Sequence, residues 1–258
     1  MSTFTAEKKH HTMESQYNNN SNTISSPKNN ETQLDPTMLS TWSHRAWLAS
    51  GSTAVLLSLA KLAIGVTNSK DHNFWLVALS STVACVVGFV VVDLASGVYH
   101  WAADNYGCAS TPIFGYQAEA FQLHHEFPMR ITRHEFVNRT HPFACVVTFL
   151  VLPIHLFWDH PIIHGFVGVF FGCVIFTQQF HVWAHGAKNQ LPPLVVALQD
   201  LHILVGRSQH EAHHRPPYNC NYCVISGFWN AFLDKNKIFK ALEKLLFLKF
   251  GVKPNSWS

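Results

Sequence analysis

The residues of this chain that can do chemistry are histidines set at helical spacing. His181 and His185 stand at i and i+4 in QQFHVWAH, and His210, His213 and His214 at i, i+3 and i+4 in RSQHEAHH. On a helix such spacings put side chains on one face, so each set brings its imidazoles within reach of one another. Imidazolium ions held that close repel, whereas neutral imidazole is the commonest metal ligand. The spacing therefore predicts metal binding.

The 99–141 stretch and the end of the apolar run before it supply further donors. Asp93, Gly97, His100 and Asp104 fall on one stripe of a helix through VVDLASGVYHWAADNYG. Asp93 lies within the last apolar turns, where a carboxylate marks function or a buried pair. In EAFQLHHEFP, His124 and His125 are adjacent, about 100° apart on a helix that Pro128 ends. Both reach one site only if it lies between their directions or holds two metals. The candidate ligands are His100, Asp104, His124, His125, His181, His185, His210, His213 and His214. Eight imidazoles and a carboxylate exceed the three or four protein ligands of zinc. They fit two five- or six-coordinate ions with positions left for oxygen, and two irons are the natural choice for activating dioxygen. Asp93, Glu119, His141 and His202 are candidates to stand behind those ligands, and no catalytic residue is expected beyond the metal site.

Composition narrows the class. The 258 residues are 48% hydrophobic and 13% charged, about half the charge of a soluble domain, which points to a membrane protein. The 18 His outnumber the 15 Asp and Glu together, which argues against a carboxylate-rich di-iron bundle. The six Cys are scattered and imply no disulfide framework; Cys220 and Cys223 form a lone C-x-x-C without the second pair of a structural zinc site. Nothing points to a nucleic-acid partner.

Four apolar runs must position the donors: Trp47–Val66, Phe74–Val98, Phe143–Trp158 and Ile162–Phe180. Each approaches or reaches the ~20 residues that cross a hydrocarbon core. Thr67–Asn73 and Asp159–Pro161 separate them into two hairpins. The expected fold is thus an all-α membrane protein, with about four transmembrane helices and a His-rich helical cap on one membrane face. All Lys and Arg but Lys61 and Lys70, of 18, fall on that face, which the positive-inside rule assigns to cytosol or stroma. His155, His160 and His164 fall on the opposite side or within the second hairpin; His10, His11, His44 and His72 read as solvated, and His134 lacks a helical partner. Leu194–Val205 is too short to span and reads as an interfacial or re-entrant helix. Asp234–Gly251 reads as an amphipathic helix, N-capped by Asp234 and C-capped by Gly251, that covers the cap rather than lying on lipid. Residues 1–40 are polar and Asn-, Ser- and Thr-rich, and read as a disordered leader or a transit peptide, with the catalytic domain over 41–258.

The segments DLASGVYHWAADNYG, FQLHHEFPMRITRHEF, QQFHVWAHG, LPPLVVALQD and HEAHHRPPYNCNYCVISGFWN resemble the membrane lipid desaturases that include the plasmanylethanolamine desaturases. STWSHRAW and FGVKPNSWS are similar to the plant branch, the chloroplast desaturases of the fatty acid desaturase 4 type, and the likeness runs over roughly 40–258. The resemblance implies an oxygen-dependent di-iron oxidoreductase of the plastid membranes (thylakoid or envelope), with the endoplasmic reticulum as alternative. It implies a trans double bond at Δ3 of palmitate on the sn-2 carbon of phosphatidylglycerol. It places the histidine boxes on His181–His185 and His210–His214, with His100, His124 and His125 as the remaining family histidines. This N-terminus is shorter and more acidic than a typical transit peptide. The chain has no haem or flavin module, so electrons would come from ferredoxin or a cytochrome b5 system. The headgroup of the phospholipid substrate would anchor near Arg130, Arg133, Arg139 or Arg207, residues that equally suit interface charges. Rival readings are an alkyl-ether phospholipid desaturase and a non-catalytic membrane metal-binding or transport protein.

Overall fold

The computed structural model describes residues 35–69, 73–112 and 115–257, so most of the expected leader, with His10, His11, His72 and Lys70, lies outside the described residues. Four long helices form the frame: α1 (Trp42–Thr67), α2 (Phe74–Asn105), α5 (Phe136–Phe157) and α6 (Pro161–His185). All four are long and apolar enough to cross a membrane. Between α2 and α5 run α3 (Gly115–Glu126) and the single turn α4 (Arg130–Arg133); after α6 come α7 (Pro193–Asp200), α8 (Arg207–His213), α9 (Asn230–Lys235) and α10 (Ile238–Phe250).

Local signals set the ends. Thr41 and His44 close a reciprocal capping box that starts α1, and Pro161 opens α6 at a position where no N–H is needed. Pro142 and Pro153 are carried inside α5, so that helix begins a full turn and more before the apolar run does. In space α6 is the centre, packing against α1, α2 and α5. The first pair, adjacent in sequence, is only lightly packed together. Small residues allow the close approaches: a Cβ on Gly51 of α1 would lie 2.5 Å from the Ala144 carbonyl of α5. Outward-facing Leu56, Leu79, Val86, Phe149 and Leu152 are exposed, as a lipid-facing belt requires.

Length then explains the cap. The 32 residues of α2 span roughly 48 Å against a hydrocarbon core of about 30 Å, so its last turns run beyond the bilayer. The ends of α2 and α6 and the starts of α1 and α5 share that side, where α3, α8 and the 214–257 segment assemble.

Just before α1, Pro36–Met38 is a 3-10 turn, Met38 is buried, and Glu135 ties the segment down, donating its N–H to the Met38 carbonyl and accepting from Ser40 N. Two expectations change. The 194–205 helix stops at Asp200, because the chain then leaves to pair Val205 N with the Ile225 carbonyl at 2.7 Å. The tail is two helices, broken at Lys237 (φ 54°), and Asp234 accepts from Asn221 N at 3.0 Å instead of capping. Gly251 (φ 68°) does end α10 in the left-handed region.

Candidate metal centre

Nine side chains converge where α2 and α6 end, in two groups. His124, His181, His185, His210 and His214 form one; His100, Asp104, His125 and His213 form the other. Within each, one ligand atom per residue lies within 4.8 Å of every other, and both groups could hold a metal ion. Helical spacing delivers the pairs from α2 (His100, Asp104), α6 (His181, His185) and α8 with its cap residue (His210, His213, His214). The adjacent residues are divided: His124 joins the first group and His125 the second, and His214 and His213 do the same. Side chains about 100° apart on a helix diverge, so each His-His pair straddles the two groups and makes them neighbours.

In the five-imidazole group the Nε2 atoms pack tightly. His124 Nε2 is 2.9 Å from that of His181 and 3.0 Å from that of His185; His210 Nε2 is 2.9 Å from His185 and 3.0 Å from His214. An imidazole nitrogen has a single in-plane site, a proton or a lone pair, so it serves one such bond. Five nitrogens strung through these contacts can therefore make two hydrogen bonds at most, and the remaining contacts are repulsive without a cation. Nitrogens about 2.1 Å from a shared metal and 90° apart sit roughly 3.0 Å from one another, which is the spacing seen.

The second group centres on Asp104. Its Oδ2 is 3.5 Å from His100 Nε2, 3.6 Å from His125 Nε2 and 3.5 Å from His213 Nε2, too long for hydrogen bonds. Both carboxylate oxygens and His100 Nε2 are buried with no hydrogen-bond partner. A buried carboxylate without a partner costs several kcal/mol, and a bound cation removes that penalty. Two of these imidazoles are aimed from behind: His100 Nδ1 donates to the Tyr222 carbonyl (3.0 Å) and His213 Nδ1 to the Cys220 carbonyl (2.8 Å). With Nδ1 carrying the proton, each Nε2 presents its lone pair to the site. Tyr218 stacks on His125 at 4.5 Å.

The electrostatics keep the donors in their ligating form. Burial, then the imidazoles of His185 and His214, pull His124 down to about 2. Burial pulls His125 and His214 to about 4, and also lowers His210 and His213 well below the usual histidine range. All five are neutral at pH 7.

The residues proposed to stand behind the ligands are dispersed. Glu119 and His202 are exposed, because α3 turns the first outward and the second follows the end of α7. His141 stacks on His44 at 3.8 Å and bonds the Asn138 carbonyl, away from both groups. Asp93 is buried but accepts from the N–H groups of Ser226, Gly227 and Trp229, clamping the turn that follows Tyr222. It holds the segment whose carbonyls aim His100 and His213, and touches neither group. Gly97, on the same stripe, lets that segment approach: a Cβ there would lie 2.4 Å from Cys223 Sγ. The carbonyls of Cys220 and Tyr222 escaped the sequence reading, since a main-chain acceptor leaves no mark on residue type. Of the arginines, Arg207 pairs with Glu211, Arg130 and Arg133 are exposed, and Arg139 donates to the His134 carbonyl and to Gln179 Oε1. His155 and His164, at the far end, bond the Ala54 and Trp158 carbonyls.

With this geometry established, similarity to known proteins adds the chemistry. The model of the lipid desaturase domain matches residues 89–257, which include all nine donors. The chain is 53% identical over 224 residues to fatty acid desaturase 4-like 1, chloroplastic, of Arabidopsis thaliana, covering 87% of this chain and 74% of that one. It is 53% identical over 218 residues to fatty acid desaturase 4, chloroplastic, of the same plant, covering 84% and 66%. Plasmanylethanolamine desaturase 1 of Mus musculus is 34% identical over 184 residues, 66% of each chain. No solved structure matches.

Proposed function

The chain belongs to the lipid desaturase family, and from that premise we propose that it is a di-iron, dioxygen-dependent acyl desaturase of chloroplast membranes. Its substrate is phosphatidylglycerol, in which it makes the trans-Δ3 double bond of sn-2 palmitate. The observation that carries the two-metal reading is the division of the adjacent pairs His124–His125 and His213–His214 between neighbouring donor groups. Nine donors in two sets suit two ions with positions left over, and a nitrogen-rich set suits iron.

Bound iron would supply the oxidative chemistry: two hydrogens leave adjacent methylenes, and dioxygen with two electrons and two protons becomes two waters. The residues contribute placement. Five imidazoles would hold one ion, while His100, His125, His213 and Asp104 would hold the other. The Cys220 and Tyr222 carbonyls keep the Nδ1 protons of His213 and His100 turned away. The donors sit beyond the apolar length of α2, so an acyl chain reaches them near its carboxyl end, which favours a bond close to the headgroup. Electrons come from ferredoxin, with a cytochrome b5 system as the alternative at the endoplasmic reticulum.

The test is the acyl profile of phosphatidylglycerol in leaves that lack this activity, supplied with the intact chain or its His213→Ala variant. Trans-3 hexadecenoate restored by the first and not the second is the expected result. Failure of both, with iron-loaded protein present in plastid membranes, sinks the phosphatidylglycerol assignment. The 34% identity to plasmanylethanolamine desaturase 1 makes alkyl-ether phospholipids the next substrates to assay.

A further inference from the structure

Helix α10 carries two apolar faces. Phe239, Glu243 and Leu246 share one side at 100° per residue and turn inward: Phe239 stacks on Trp101 at 5.2 Å, and buried Glu243 accepts from the indoles of Trp101 and Trp257. On a helix facing only water the opposite side would be polar. Here it holds Ala241, Leu245 and Leu248, the two leucines 57% and 81% exposed, flanked by Lys240 and Lys244 on one edge and Lys249 on the other. Among the described residues none of these lysines forms an ion pair.

The neighbouring turn reaches the membrane boundary, while α10 itself packs on Trp101 a little beyond it, beside the headgroups. The Trp229 indole donates to the Val90 carbonyl at 2.8 Å, and Val90 lies midway along α2. A hydrocarbon core about 30 Å thick entered at Phe74 extends to roughly Leu94. The 226–233 segment, with exposed Phe228 and Phe232, therefore lies against α2 at the level where acyl chains meet headgroups.

We propose that α10, with Phe228 and Phe232, is an in-plane anchor on an anionic lipid surface. Leu245 and Leu248 enter the acyl boundary, and Lys240, Lys244 and Lys249 face headgroup phosphates. The proposal rests on the membrane placement of the four long helices and not on the metal or the substrate. It has a consequence for the site. Phe239 contacts Tyr222 at 5.1 Å, and Tyr222 lies 5.2 Å from His213, so the anchor fixes the height of the donors above the acyl core. The sequence favoured a helix that covers the cap, which Phe239 and Glu243 do; the proposal adds a role for the second apolar face.

The test uses the full chain in vesicles of phosphatidylcholine and phosphatidylglycerol with brominated acyl chains. A coumarin amino acid replaces Leu248, Leu245 or Lys244, one at a time. Quenching by the brominated chains is expected to be about twofold or more stronger at 248 and 245 than at 244, with aqueous iodide showing the reverse order. Removing phosphatidylglycerol should weaken the acyl quenching. Iodide access at 248 equal to that at 244 overturns the proposal, as does shielding that appears only when an acidic redox protein is added. Acyl quenching indifferent to phosphatidylglycerol overturns the anionic part. None of these readouts depends on desaturase activity, so they stand apart from the substrate assay.

Discussion

Asp93 gives its carboxylate oxygens to main-chain N–H groups of the 226–229 turn, whereas Asp104, three turns further along α2, faces only imidazoles. Their exposures, 0% and 7%, are nearly alike. One region of the helix end is closed by its own hydrogen bonds; the other leaves its carboxylate without a hydrogen-bond partner, where a metal ion could sit. The difference teaches that burial of an acid says it has a role, and its partners say which. A saturated carboxylate fastens the fold, and an orphaned one marks the site of a ligand.

The largest expected effect separates the two directly. Compared as metal-free proteins, Asp104→Ala should not lower thermal stability, while in the loaded enzyme it should remove more than about 100-fold of desaturation and roughly one metal equivalent, read by product analysis and metal content. Retained metal at both positions would place Asp104 outside the ligand set. Asp93→Ala should do the opposite in kind, lowering stability by about 3 kcal/mol or more through three unsatisfied N–H groups. Thermal unfolding measures that loss, and Asp93→Asn, which keeps one acceptor, should recover part of it. If Asp93→Ala lost metal with no change in stability, its role would be misassigned.

A smaller effect tests how the clamped segment reaches α2. Gly97→Ala should cost about 1–3 kcal/mol because its Cβ meets Cys223 Sγ, and adding Cys223→Ala should restore most of the loss. An additive double variant would rule that contact out.

For each single group, the change over one pH unit is smaller still for the imidazoles. His125 and His214 sit near 4 and His124 near 2 in the folded chain, below the ordinary 6.5 of the unfolded one. Below pH 6.5 the unfolded chain binds protons first, so metal-free protein should lose stability from 6.5 towards 4, by at most about 1.4 kcal/mol per unit for each group. Chemical unfolding between pH 7 and 5 measures it, and a flat profile would contradict neutral burial. Bound metal should shift the loss to lower pH, since it holds the deprotonated form.

Much of the site was legible along the chain. The nine side chains that meet in the two groups were picked out by helical spacing, by the adjacent His124 and His125, and by the side on which each stretch was expected to fall, all local properties. Glu119, His141 and His202 were read as supporting residues for the same reasons of side and neighbourhood, yet face solvent or another histidine. Spacing reports which face of a helix a residue occupies and not what that face meets. The break at Lys237 was hidden because a residue forced to φ 54° by the packing of its flanks carries no signature of type.

By itself the sequence determined four apolar helices and a set of histidines spaced to meet at their ends. Apolar length and helical period act within a few turns, so they can be read without the fold. The tertiary structure decided the division of the donors into five and four, the opposite fates of Asp93 and Asp104, and the carbonyls that aim His100 and His213. The bonds of His100 and Asp93 depend on main-chain atoms more than 100 residues away, that of His213 on a carbonyl seven residues on across an irregular turn, and the division of the donors on the angle at which separate helices meet; no local pattern encodes these.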